Sequence, residues 1–209
     1  MGNGNSIMPK NKGSKVLFNN GFLEKLTKTH VAVPVTILGI YSTVLLYYAF
    51  SLYHLSIGIV IGFFLIGWFS FTLIEYLTHR YVFHMVANTD LRKKLQYTMH
   101  GVHHEFPKDK MRLAMPPILS LALGLLLLWI FNFIMGAYAW AFVPGFAVGY
   151  SMYLGVHYVV HAYPPPKNVL RKLWEHHAIH HYKDPERAFG VSSPLWDFLL
   201  GTMPRKSYH

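Results

Sequence analysis

The chain has 209 residues, a mean hydropathy of +0.27 and a formal charge of +10 at neutral pH, a length that fits one domain. It has no cysteine, which excludes disulfides, thiolate zinc sites and iron–sulfur clusters. The positive charge argues for a membrane rather than nucleic acid, because positions 31–74 and 113–166 hold no Asp, Glu, Lys or Arg at all.

In chain order, the first 20 residues are rich in Gly, Asn and Lys and predict a mobile tail. Met1–Ser6 fits a loose myristoylation pattern, read here as chance because apolar spans already anchor the chain. A polar start and a full-length first apolar run argue against a cleavable signal peptide. Positions 22–29 predict a short amphipathic helix on the membrane surface, with Phe22, Leu23 and Leu26 toward lipid. Positions 1–30 are thus a tail with an interfacial helix, and 31–205 a single membrane domain.

Four crossings are predicted at about 31–50, 56–76, 117–135 and 139–160, each near the roughly 20 residues that span a bilayer. The intervening turns, Ser51–His54 and Gly136–Ala139, are short. All nineteen Lys and Arg lie outside the two hairpins: five before, seven between and seven after. With four crossings those three regions share one side, which the positive-inside rule makes cytoplasmic. The expected fold is therefore all-α: an integral membrane protein with four transmembrane helices and a cytoplasmic helical cap. The host membrane is a bacterial inner membrane or the endoplasmic reticulum.

Ten of the fourteen histidines fall into four groups: His79 and His84; His100, His103 and His104; His157 and His161; His177, His180 and His181. A rise of 1.5 Å per residue from Ser56 or Ala139 brings His79, His84, His157 and His161 to the cytoplasmic ends of their helices. All four groups then share one layer. Residues i, i+3 and i+4 share a helix face, so each H-x-x-H-H triplet is expected to turn three imidazoles inward. His79 and His84 diverge by about 140° on an ideal helix; either the helix ends between them or they serve different ions. Ten imidazoles predict two metal ions. Glu75, one turn before His79, and Asp197 are expected to accept hydrogen bonds from ligand histidines, with Glu175 a further candidate. His176 is read as an outer contact or exposed, and His30, His54 and His209 as non-ligands. Lys108, Lys110 and Arg112 are read as positive-inside residues rather than anion holders.

His79-Arg-Tyr-Val-Phe-His84, His100-Gly-Val-His-His104 with the following Pro107–Pro117 stretch, Phe189-Gly-Val-Ser-Ser-Pro-Leu-Trp-Asp197 and Gly201-Thr202 resemble the fatty acid 2-hydroxylases of the integral-membrane fatty acid hydroxylase and sterol desaturase superfamily. The resemblance covers about residues 70–205. It implies a dimetal monooxygenase that hydroxylates the 2-carbon of acyl chains, in free acids or sphingolipids, with O2 and external electrons. Iron is the expected active metal, since zinc does not cycle redox states, although zinc binds such sites more tightly. Family members often carry a fused cytochrome b5 domain with an H-P-G-G motif. None is expected here, so a separate cytochrome b5 or ferredoxin-type donor is implied. The family also tends to have an acid where this chain has Leu154. Gly145, Gly149 and Gly155 fit either space for an acyl chain or close helix packing. Sterol or carotenoid hydroxylation or desaturation is the alternative chemistry. A non-enzymatic metal-binding or transport protein is the remaining rival; transport fits poorly, because transporters place ligands near the midplane.

Overall fold

The computed structural model describes residues 7–205, and among these it is helical throughout, with no strand. The myristoylation-like start and His209 lie outside the described residues. α1 (Gly21–Leu26) begins where the Asn20 side chain accepts the amides of Phe22 and Leu23. It exposes Phe22 and Leu23 as expected of an interfacial helix, but ends at Leu26.

Three helical stretches are long and apolar enough to cross a membrane: Ala32–Ser51, Ile57–Phe83 and Pro117–Ala162. The first is α2 (Ala32–Ser51) and the second begins with α3 (Ile57–Leu77). The third, at 46 residues, doubles back. Gly136, at φ 58°, opens a 3-10 turn through Tyr138 that separates α6 (Pro117–Met135) from α7 (Ala139–Ala162). The rings of Phe131 and Phe142 meet at 4.5 Å across that hairpin, and Trp140 Nε1 donates to Asn132 at 3.1 Å. These helices are apolar all round, and their outer faces, such as Ile61, Leu65, Trp129 and Phe133, are exposed. That pattern suits a lipid surround rather than water.

α7 is the centre of the bundle, packed by α2, α3 and α6. Its contact with α3 is backbone to backbone. A Cβ on Gly145 would stand 1.9 Å from the Phe64 carbonyl oxygen, and one on Gly67 2.0 Å from that of Phe142. A Cβ on Gly149 would stand 2.8 Å from Phe71. Close packing therefore explains Gly145 and Gly149, whereas Gly155 faces open space. Leu154 is buried between them.

The remaining elements form a cap at one end: α4 (Asp90–Gln96), α5 (Val102–Glu105), α8 (Arg171–Tyr182) and α9 (Leu195–Leu199). Trp196 Nε1 donates to Thr72 Oγ1 at 2.9 Å, which pins α9 to the last turns of α3. The tail, expected to be mobile, instead lies across this cap. Lys10 N–H donates to the Glu105 carbonyl at 2.6 Å, Ser14 Oγ to Asp109 at 2.5 Å, and Tyr182 Oη to Asn11 at 2.8 Å. Arg112 anchors it. Its buried guanidinium donates to Glu24 (2.5 Å), Thr27 Oγ1 (2.8 Å) and the Lys15 carbonyl (2.5 Å). A buried guanidinium needs such partners, and the tail supplies them.

Candidate metal centre

Each histidine group sits where a helix reaches the cap, and two of the groups are shaped by widened turns. Thr78–Phe83 is π-helical and continues α3; the His84 amide donates to the His79 carbonyl at 3.1 Å. Tyr97–Gly101 is π-helical too and leads into α5. π turns of this kind recur at functional sites.

The ten clustered imidazoles resolve into two sets of five. His79, His84, His100, His104 and His180 form the first; His103, His157, His161, His177 and His181 form the second. Within each set the candidate ligand atoms lie within 4.8 Å of one another. In the first set the Nε2 atoms of His79 and His104 stand 3.0 Å from His100 Nε2, and His180 Nε2 stands 3.1 Å from His84 Nε2. In the second, His157 Nε2 lies 3.0 Å from His103 Nε2, and His161 and His181 lie 2.8 and 3.1 Å from His177 Nε2. Nine of the ten rings are buried and His84 is half-buried.

Of the two readings of His79 and His84, the helix does end between them, at Phe83, and they do not serve different sets: the π turn adds the residue that brings i and i+5 onto one side. Nor does each H-x-x-H-H triplet act as a unit. His100 and His104 enter the first set and His103 the second, while His180 enters the first and His177 and His181 the second. The i, i+4 pair of each triplet thus faces one centre and the remaining imidazole faces the other, so the two centres share both helices.

Burial holds these imidazoles neutral. It pushes His100, His103, His177, His180 and His181 well below the usual histidine range, and neighbouring imidazoles push the same way. His104 is driven down to about 3 and His84 to about 2 by the same causes. The tautomers follow from geometry in two cases. His79 Nδ1 lies 2.5 Å from the Phe189 carbonyl and His180 Nδ1 2.8 Å from the Arg187 carbonyl. A carbonyl only accepts, so each Nδ1 carries the proton and each Nε2 presents a bare lone pair to the centre. Both belong to the first set, where one cation would satisfy the two lone pairs at once. Neutral nitrogen donors in this number fit divalent zinc, copper, iron or nickel.

The two carboxylates act differently from expectation. Neither Glu75 nor Asp197 hydrogen-bonds one of the ten clustered histidines; both grip the loop that follows α8. Glu75 accepts the amides of Val191 (2.8 Å) and Ser192 (2.9 Å) and the Ser192 hydroxyl. Asp197, fully buried, accepts the amides of Phe189 (2.9 Å) and Gly190 (2.7 Å), Thr202 Oγ1 (2.7 Å) and His176 Nε2 (3.0 Å). Burial alone would raise the Asp197 pKa, but the donors His176, Thr202 and Gly190 hold it below the usual carboxylate range. His176 is therefore the buried partner of Asp197, while Glu175 pairs with Arg171 at the surface. Gly190 permits the approach, since a Cβ there would meet the Ser193 carbonyl at 2.2 Å and Asp197 Oδ2 at 2.9 Å.

Between the two gripped carbonyls stands Ala188, left-handed at φ 58° and fully buried. Such a conformation costs a non-glycine residue about 1–2 kcal/mol. Here it lets the Arg187 and Phe189 carbonyls each reach an imidazole, on α8 and at the end of α3 respectively. Sequence reasoning did not find these backbone carbonyls, because a carbonyl leaves no mark in residue identity. The Gly190 and Asp197 pair was the available signal. Lys108 donates to the His161 carbonyl at 3.0 Å, and His30 and His54 lie outside both sets.

The fatty acid hydroxylase family profile matches residues 64–202. The chain is 34% identical over 191 residues to the dihydroceramide fatty acyl 2-hydroxylase FAH2 of Arabidopsis thaliana, covering 90% of this chain and 79% of that protein. It is 36% identical over 205 residues to the ceramide very long chain fatty acid hydroxylase scs7 of Schizosaccharomyces pombe, covering 92% and 56%. The fatty acid 2-hydroxylase of Homo sapiens is 36% identical over 152 residues, covering 71% and 41%. This chain thus spans about half the length of the last two. A solved structure, full-length scs7p with only its hydroxylase domain visible, superposes with a TM-score of 0.80 at 36% identity over 93% of this chain and 74% of that one.

Proposed function

The chain belongs to the fatty acid hydroxylase family, and from that premise we propose that it hydroxylates the 2-carbon of fatty acyl chains, carried by sphingolipids or as free acids. The observation that supports this reading is the gathering of ten neutral imidazoles into two sets of five at one end of an apolar helix bundle. His79, His84, His100, His104 and His180 would hold one ion, and His103, His157, His161, His177 and His181 the other. Iron is the proposed active metal; when bound, it supplies the oxygen activation that an unreactive acyl C–H bond requires.

The chain's own residues do the rest. Glu75 and Asp197 fix the 188–193 loop, which fixes the rings of His79 and His180 through two carbonyls. The Asp197 charge also offsets part of the positive charge that two cations would bring into a buried site. Burial keeps the remaining imidazoles unprotonated and available as ligands. Phe71, Tyr150 and Tyr153 pack within 6.3 Å of one another, and Tyr153 stacks on His157 at 5.4 Å. They give the bundle side of the centre an apolar, water-excluding wall, which suits an acyl chain approaching from the bilayer.

We read the bundle as four crossings, α2, α3, α6 and α7, because the third long stretch folds back at Gly136. The Lys and Arg distribution then favours a cytoplasmic cap, on an endoplasmic reticulum or bacterial inner membrane. Electrons would come from a separate cytochrome b5 or ferredoxin-type protein.

The test is lipid analysis after expression in a host without 2-hydroxy lipids, under labelled oxygen gas. The expected product is a 2-hydroxy acyl chain carrying one labelled oxygen. His103→Ala and His180→Ala should abolish it, each removing a ligand from a different set. His54→Asn should not: His54 is exposed, outside both sets and at φ 50°, where Asn is tolerated. A hydroxyl oxygen derived from water, or full activity in His103→Ala, would sink the reading.

A further inference from the structure

We infer that the two histidine sets hold their ions unequally, and that the set of His103, His157, His161, His177 and His181 gives up its ion first. This rests on the two-ion reading above.

The first set is anchored from outside. The protonated Nδ1 of His79 and of His180 each donates to a loop carbonyl, and that loop is itself held by two buried carboxylates through five hydrogen bonds from Phe189, Gly190, Val191 and Ser192. In the second set the Nδ1 atoms of His103, His177 and His181 are buried with no hydrogen-bond partner. Neither Glu75 nor Asp197 reaches it. An acceptor on the outer ring nitrogen fixes the tautomer and the ring angle and raises the ligand's basicity; losing one typically costs 10–100-fold in metal affinity. The imbalance therefore falls on one side of the centre.

Access points the same way. A cavity of about 580 Å³ opens against the rings of His161, His177 and His181, with Lys108, Lys110 and Trp174 on its wall. Its two ammonium groups favour the entry of an anionic chelator. His84, the half-buried member of the first set, gives some access there too, but exposure of one ring leaves both carbonyl anchors in place.

The experiment uses the full chain in detergent, loaded with zinc to two ions per chain by elemental analysis and then challenged with excess EDTA while zinc release is followed. The expected course has two phases of one ion each, at rates at least tenfold apart. Asp197→Asn, which disturbs the loop behind the first set and its own contact with His176 on α8, should speed the slow phase more than the fast one. His177→Ala should start with one ion and lose it slowly; this arm decides alone if Asp197→Asn does not fold. Release of both ions in one phase, or a His177→Ala protein whose remaining ion leaves fast, overturns the inference while leaving the two-ion reading intact. Fewer than two ions in the loaded wild type overturns both.

Discussion

The His84 amide donates to the carbonyl of His79 across five residues rather than four, and this single widened turn puts both imidazoles in one histidine set. On an α-helix the two would point about 140° apart. Here the extra residue is absorbed in the backbone of Thr78–Phe83, and the ring centroids come within 5.2 Å.

Lengthening that turn should therefore break the first set alone. An alanine inserted between Tyr81 and Val82 makes the spacing six, which neither an α nor a π turn closes. Zinc content should fall from two ions to one per chain, with the second set still loaded. Retention of both ions would separate the π turn from ligation.

How much of this was legible in the sequence depends on what carried the information. The ten ligand candidates and the long apolar elements were readable, because imidazole count and hydropathy are properties of residue identity. The partition of the triplets was not, since it depends on the angle at which α5 and α8 face each other. The roles of Glu75 and Asp197 were half readable: a buried acid beside a histidine box is a signal, but its action through the amides of residues 189–192 is tertiary. The tail over the cap was missed because Gly, Asn and Lys read as disorder until Arg112 and Glu105 are seen beneath them.

The left-handed Ala188 should tolerate glycine and reject a branched side chain. Ala188→Gly relieves about 1–2 kcal/mol of backbone strain, offset by the greater freedom of glycine in the unfolded chain, about 0.4–1 kcal/mol. Thermal stability and zinc content should stay near wild type. Ala188→Val, with a β-branched side chain at positive φ in a fully buried site, should lower the melting temperature and lose the ion of the first set.

Among the α7 glycines, position should decide the effect of an added methyl. Gly145→Ala drives a Cβ into the Phe64 carbonyl, and overpacking of this kind costs about 1–3 kcal/mol or more. Gly155→Ala meets nothing within 4 Å, and alanine is the better helix former by about 1 kcal/mol. In detergent the first variant should unfold at clearly lower temperature and the second at or above the wild-type value. Equal shifts would count against backbone contact between α3 and α7.

Four crossings require both ends of the chain on the side of the cap. A reporter active only in the cytoplasm, fused after His209, should be active, and one inserted between α2 and α3 at Tyr53 should be silent. Activity at Tyr53 would mean that the 117–162 stretch or α2 does not cross as read.

Acid should release the tail from the cap. The Glu24 carboxylate accepts the amides of Leu17 (2.9 Å) and Phe18 (3.2 Å) and pairs with Arg112 and Lys28. Desolvation would raise its pKa, but these partners outweigh it and hold the group down at about 2, against an ordinary 4.5. A carboxyl whose folded pKa is depressed contributes stability that is complete above its unfolded pKa and is lost as pH falls through the folded one. Protection of amides 10–20 from hydrogen exchange, corrected for the intrinsic pH dependence, should be full above pH 4.5 and fall steadily toward pH 2. Glu24→Gln keeps an oxygen for the two amides but not the charge for Arg112. Its tail should be less protected at neutral pH and lose less across the same window, where Glu105, paired with Lys10 and Lys15, still titrates. Coincident wild-type and variant curves would mean that packing, and not this carboxylate, holds the tail in place.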